Sequence, residues 1–150
     1  MYGAKLDAEL RQIPVGTAEV LREGTEICLA AVGELVHTAL EAAEELAKEG
    51  TPVQVVNVRY IKPVDSDLIE ELCDNFDDVV VLEEGTSIGG VASALLEAIA
   101  HFRGSGPRVH QMALGDFFPD HGGIAELRTL CGLDSTAVAN KVREIIGGGK

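Results

Sequence analysis

An α/β fold, a three-layer αβα sandwich around a mostly parallel sheet of about five strands with one antiparallel edge, is what this sequence predicts. Three observations carry that expectation. Short continuous aliphatic runs, of the kind that suit strands buried on both faces, recur along the chain. Between them lie longer segments whose apolar residues return every three or four positions. The composition is 46% hydrophobic but only 4% aromatic, with no Trp, so the core has to be built from Val, Leu, Ile and Ala.

The elements follow in order. Ala18–Leu21 is a short mixed run, and only Arg22-Glu23-Gly24-Thr25 separates it from the next strand, which marks it as the antiparallel edge. Glu26–Val32 reads as a buried strand ending at Gly33. From Leu35, the positions Val36, Ala39, Leu40, Ala43, Leu46 and Ala47 give one apolar helix face, opposite Glu41, Glu44, Glu45 and Lys48, and Gly50 supplies the stop. Val53–Val58 is the second buried strand. Asp65 is a good N-cap for a helix carrying Leu68, Ile69, Leu72, Cys73 and Phe76.

The third buried strand, Val79–Glu84, leads through a glycine-rich turn to a helix from about Gly90 to His101, where only Ser93 and Glu97 interrupt an apolar surface. A helix that is apolar nearly all round needs cover on more than one side. Arg108–Leu114 is a further strand. Two short helices are expected to close the chain, one over Ile124–Cys131 ending at Gly132, the other starting at Asp134 and Ser135 with Val138, Val142, Ile145 and Ile146 on one face. Strands alternating with helices imply parallel pairing and right-handed crossovers. Residues 1–12 lack a pattern and read as a linker from an upstream domain; 13–146 form the domain and 147–150 a flexible tail.

A formal net charge of −13 sets the surface against phosphate backbones and anionic lipid heads, so neither nucleic acid nor membrane is an expected partner. No apolar stretch approaches the ~18 residues of a membrane span, and no signal-peptide pattern opens the chain, which points to the cytoplasm. Cys28, Cys73 and Cys131 are odd in number and never in a Cys-x-x-Cys spacing, so they read as packing rather than as disulfides or zinc ligands.

The residues that could carry chemistry cluster at loops. Val79-Val80-Val81-Leu82-Glu83-Glu84-Gly85-Thr86-Ser87-Ile88-Gly89-Gly90 ends a buried strand where ligands commonly sit in parallel sheets. Its glycines fit neither Gly-x-Gly-x-x-Gly nor a P-loop, and two carboxylates would repel an incoming phosphate. A tight structural turn outweighs a phosphate site. Consecutive strand residues point to opposite sides, so Glu83 and Glu84 do not converge as a catalytic pair. One of them is better placed to meet a packing partner or to cap the helix after Gly89-Gly90, whose dipole favours negative charge.

His121 shares a loop with Asp116 and Asp120, a grouping open to general-base or metal chemistry but more in keeping with loop ordering or an interface contact. Arg59, Lys62 and Asp65 follow a strand directly. They read equally as a salt-bridged turn with a helix cap and as a contact to a neighbouring domain.

Together the segments resemble the C-terminal domain of the transketolase family of thiamine-diphosphate enzymes, and most closely that of the 1-deoxy-D-xylulose-5-phosphate synthases. The resemblance spans about Ile13 to Ile146. It rests on the order of Ile13-Pro14-Val15-Gly16, Leu21-Arg22-Glu23-Gly24, Arg59 with Lys62-Pro63-Val64-Asp65, Glu83-Glu84-Gly85 with Gly89-Gly90, Asp116-x-Phe118-x-x-His121-Gly122, and Gly132-Leu133-Asp134. Glutamate-glutamate-glycine is shared with transketolases and with 2-oxo acid dehydrogenase β-subunits, the alternative assignments. The Asp116 to Gly122 loop narrows the resemblance to the synthases, although Gly115, Phe117 and Val91-Ala92 depart from their usual pattern.

The resemblance implies a parent enzyme that decarboxylates pyruvate on thiamine diphosphate with a magnesium ion and adds the two-carbon fragment to glyceraldehyde 3-phosphate, a product feeding isoprenoid, thiamine and pyridoxal synthesis. It implies that the cofactor motifs and catalytic residues lie in two preceding domains, so no catalytic, cofactor or metal residue is expected here. The role left is architectural: packing on those domains and supporting a homodimer. Arg59, Lys62 and Asp65, then Glu83, Glu84, Gly89, Gly90 and Leu95, then Asp116, Phe118 and His121 are the candidate interface residues. A free-standing α/β binding module is the other reading, and a Gly-Asp-Gly motif in frame upstream of Tyr2 would exclude it.

Overall fold

Strand alternation decides which side of the sheet each residue serves. In the computed structural model, which describes residues 12–148, the elements run β1 (Glu19–Arg22), β2 (Cys28–Ala31), α1 (Leu35–Lys48), β3 (Gln54–Asn57), α2 (Ser66–Asn75), β4 (Asp78–Thr86), α3 (Val91–Phe102), β5 (Arg108–Leu114), α4 (Ile124–Leu130) and α5 (Ser135–Gly148). The sheet order is β1-β3-β2-β4-β5, parallel throughout except for β1 against β3. Leu29, Ala31, Val55, Val80 and Leu82 face α1 and α5. Cys28, Ala30, Val56, Val79 and Val81 face α2 and α3. Every side chain of β2 is therefore buried, in keeping with its unbroken apolar run. The layered sandwich, its mostly parallel sheet and its antiparallel edge are as the sequence predicts.

Two local expectations need correction. The short link after β1 suggests pairing with β2, yet β1 pairs with β3. The link does not fold back as a hairpin. It runs past the start of β3, where the Thr25 and Glu26 N–H groups donate to the Pro52 carbonyl at 3.0 and 3.1 Å. Gly24 makes this approach possible, because a Cβ there would lie 2.1 Å from the Val53 carbonyl carbon. The last helix is also not short. With fourteen residues it matches α1 in length and continues through Gly147 and Gly148, beyond the tail boundary placed at 147. Its Arg143 meets Glu45 of α1 and Glu49 just after it, which ties the two helices along that face. The linker expected at 1–12 lies almost wholly outside the described residues.

Candidate functional site

Two candidate carboxylates stand near the carboxyl end of β4, and the same alternation assigns them. Val79 and Val81 face α3, so Glu83 does too; Val80 and Leu82 face the opposite layer, so Glu84 turns away from its neighbour. Glu83 is only 2% exposed. Its Oε2 accepts the Val91 N–H at 2.8 Å, its Oε1 accepts the Ala92 N–H at 3.2 Å, and the Gln111 amide donates to Oε1 at 2.9 Å. The carboxylate thus sits on the first amides of α3, where unpaired N–H groups and the helix dipole favour an anion. The expectation that one of the two glutamates caps this helix holds for Glu83.

Gly85 and Gly90 of the turn are explained by that carboxylate. A Cβ at Gly90 would come within 2.2 Å of Glu83 Oε2, and one at Gly85 within 2.8 Å. Gly89 has φ +77°, a conformation that side chains resist. Gly85 and Gly90 therefore make room for a side chain of the protein itself rather than for a phosphate.

Glu84 takes part in a different contact. Arg128 of α4 donates to its Oε1 from Nε at 2.8 Å and from Nη2 at 2.6 Å, and Nη2 also reaches Glu34 Oε2 at 2.9 Å. Partial burial works against the guanidinium charge, but these hydrogen bonds hold its pKa above the ordinary value. Glu34 follows β2, and β2 and β4 are neighbours whose crossovers leave in opposite directions. This is the switch point at which open α/β sheets bind ligands. Here Arg128 spans it, joining Glu34 to Glu84.

Other sequence candidates separate. Arg59, Lys62 and Asp65 do not form one cluster. Arg59 pairs with Glu19 of β1, and its backbone, at φ +55°, is held by an N–H donated to Asn57 Oδ1 at 3.1 Å. Asp65 caps α2, accepting from Asp67 and Leu68, while its Oδ2 accepts the Ala18 N–H at 2.7 Å. Lys62 is exposed beside them. Leu95, a candidate for an interface, is 1% exposed and belongs to the core beneath α3. Burial likewise removes Glu83 from any surface role. Asp116, Phe118 and His121 lie on the exposed loop after β5, and Phe118 is fully exposed. The outer side of α3 exposes Leu96, Ala100 and Phe102 beside Glu97 and His101.

A charged group that sequence reasoning passed over sits at the other end of β4. Asp78 accepts two hydrogen bonds from Arg108, at 2.8 and 2.7 Å, and lies 2.7 Å from His110 Nε2. The Arg108 hydrogen bonds hold the Asp78 carboxyl below its ordinary 3.8 against the opposing effect of burial, with help from His110. The signal was available: Asp78 and Arg108 open two strands that pair in register.

A diphosphate with its metal does not fit the strand ends of this chain. The α3 amides are occupied by Glu83, Glu84 is already bridged, and no group of three metal-capable side chains exists among the described residues. Residues 16–138 match the family described as transketolase, C-terminal domain. The chain belongs to that family. Among curated relatives of this transketolase C-terminal domain, 1-deoxy-D-xylulose-5-phosphate synthase from Geobacillus sp. strain WCH70 is 41% identical over 96% of the chain, covering 23% of the relative. The synthase from Geobacillus thermodenitrificans is 39% identical over the same shares. The chain thus spans about a quarter of the length of the curated relatives it matches.

Solved structures agree on the fold. A split-gene transketolase, described as an inactive β4 tetramer, superposes with a TM-score of 0.81 at 30% identity, covering 89% of this chain and 43% of that one. A transketolase variant from Pichia stipitis gives a TM-score of 0.63 at 18% identity, covering 86% of this chain and 18% of that one.

Proposed function

We propose that this domain is the carboxyl-terminal part of a 1-deoxy-D-xylulose-5-phosphate synthase, a thiamine-diphosphate-dependent transferase joining pyruvate to glyceraldehyde 3-phosphate. The observation that carries the reading is similarity to such synthases along nearly the whole chain. It favours a synthase over a transketolase or a 2-oxo acid dehydrogenase subunit. Thiamine diphosphate and magnesium belong, in this reading, to the rest of the parent polypeptide. The domain's own contribution is architectural: it packs on the catalytic domains and supports a homodimer. Three free thiols are in keeping with a cytoplasmic enzyme.

The packing surface proposed is the carboxyl end of the sheet. Ile88, Phe117, Phe118, Ile124 and Leu130 are exposed there on the loops after β4 and β5 and on α4, which buries none of its residues. Ile13, among the first described residues, lies at the same end, lining a cavity of about 460 Å³ with Gly33, Asn57, Arg59 and Tyr60. The preceding domain would therefore approach where these apolar side chains stand, with Lys62, Gly89, Asp116 and His121 around them.

Calorimetric titration of the 150-residue chain with thiamine diphosphate and magnesium is expected to give no binding heat, and saturable binding would refute the assignment of the cofactor to other domains. A graft tests the parentage. The Geobacillus sp. synthase carrying this domain in place of its own matching segment should condense pyruvate with glyceraldehyde 3-phosphate. A folded graft without that activity would count against the synthase reading.

A further inference from the structure

The two edges of the sheet are built differently. β1 is four residues long, carries Glu19 and Arg22, and shifts register between Val20 and Arg22, all features that discourage pairing with another strand. β5 runs seven residues, Arg-Val-His-Gln-Met-Ala-Leu, and among the described residues has β4 as its one strand neighbour. It has no proline, no lysine and no acidic side chain in a chain of net charge −13, and Asp78 neutralises its single arginine.

Backbone parity fixes what this edge offers. The Arg108 N–H donates to Asp77 and the Leu114 carbonyl accepts from Ser87, so residues 108, 110, 112 and 114 address β4. In a parallel strand the N–H and C=O of the residues between them face the other way. Val109, Gln111 and Ala113 therefore direct their backbone groups outward.

We infer that the β5 edge pairs antiparallel with β5 of a second copy of this chain, about a two-fold axis through Gln111. In that register Gln111 meets Gln111, Val109 meets Ala113 and Ala113 meets Val109. Each is a pair of outward-facing residues, and together they exchange about six backbone hydrogen bonds. No other two-fold centre on this strand satisfies all three outward residues at once. On the opposite face His110 stands against Met112, so no like charges are opposed. The Gln111 amide that donates to Glu83 keeps its carbonyl oxygen for its twin. Self-complementarity of this kind selects a second copy over an unrelated strand, because closed two-fold pairing requires the same patch on both partners.

The inference names a surface for the homodimer proposed above and rests on that part of the reading. Sedimentation equilibrium of the 150-residue chain should give about twice its 15.8 kDa. Ala113→Pro removes one outward N–H without touching the β4 ladder and should weaken dimerisation at least tenfold while circular dichroism stays unchanged. Gln111→Cys, with Cys73 and Cys131 replaced by Ser, should form a disulfide-linked dimer under mild oxidation, since the paired Cα atoms would lie about 5.5 Å apart. Val20→Cys on the β1 edge, in the same background, should not. This second variant decides the matter if the proline change unfolds the chain. A dimer that forms no Gln111→Cys crosslink overturns the β5 surface and leaves the homodimer standing. A chain that stays monomeric at all concentrations overturns both.

Discussion

Glu83 and Glu84 are chemically identical neighbours with opposite environments. Glu83 is buried and met by two backbone amides and a side-chain amide; Glu84 is at the surface and met by a shared arginine. One step along a strand separates them, which turns the side chain from one face of the sheet to the other. The difference teaches that a carboxylate at a strand end is read by its parity before its charge. Asp78, on the parity of Glu84 but at the amino end of β4, adds a third environment, in which a guanidinium and an imidazole meet the carboxylate.

The comparison can be broken most forcefully at Glu83. Replacing it with Leu leaves the Val91, Ala92 and Gln111 donors without their acceptor and should cost about 3 kcal/mol or more in urea denaturation. Glu83→Gln keeps one acceptor oxygen and should cost about 1–2 kcal/mol. Gly90→Ala drives a methyl group onto the same carboxylate and should cost about 2 kcal/mol. The two sites should couple. In a Glu83→Ala background the Gly90→Ala cost should largely vanish, and additive costs would show that Gly90 serves something other than this carboxylate.

The Asp78 environment is tested with pH. Its folded pKa lies below 3.8, so its contribution to stability is present above that value and is lost as pH falls through the lower folded one. Asp78→Asn should therefore be less stable than the native chain at neutral pH, with the gap between them closing below about pH 4. Denaturation midpoints at pH 6 and pH 3 measure this. The smallest effect belongs to Glu84: Arg128→Ala should cost below about 1 kcal/mol, because its partners are solvated. A larger loss would mean that the bridge carries α4, which buries nothing of its own.

Much of this fold was legible because its central strands are buried on both faces and its helices on one. The runs at Cys28–Ala31 and Gln54–Asn57, and the stops at Gly50 and Gly132, both with positive φ, are written directly in residue type. The partner of β1 was not. It depends on a link that crosses the start of β3 through a contact only Gly24 permits, and nothing local announces such a crossing. At the candidate site, the parity of Glu83 and Glu84 could be read, and with it the cap. The Arg128 bridge could not, since it joins residues 44 and 94 positions apart. Arg59 finding Glu19 rather than Asp65 belongs to the same class of long-range pairing.

The carboxylate of Glu83 has one further consequence. A helix start facing a strand end is open, in many proteins of this general architecture, to whichever small oxyanion the surrounding solution supplies. In this domain the position is filled from within, by a group that cannot diffuse away. An oxyanion from solution would have to displace that carboxylate to reach the Val91 and Ala92 amides.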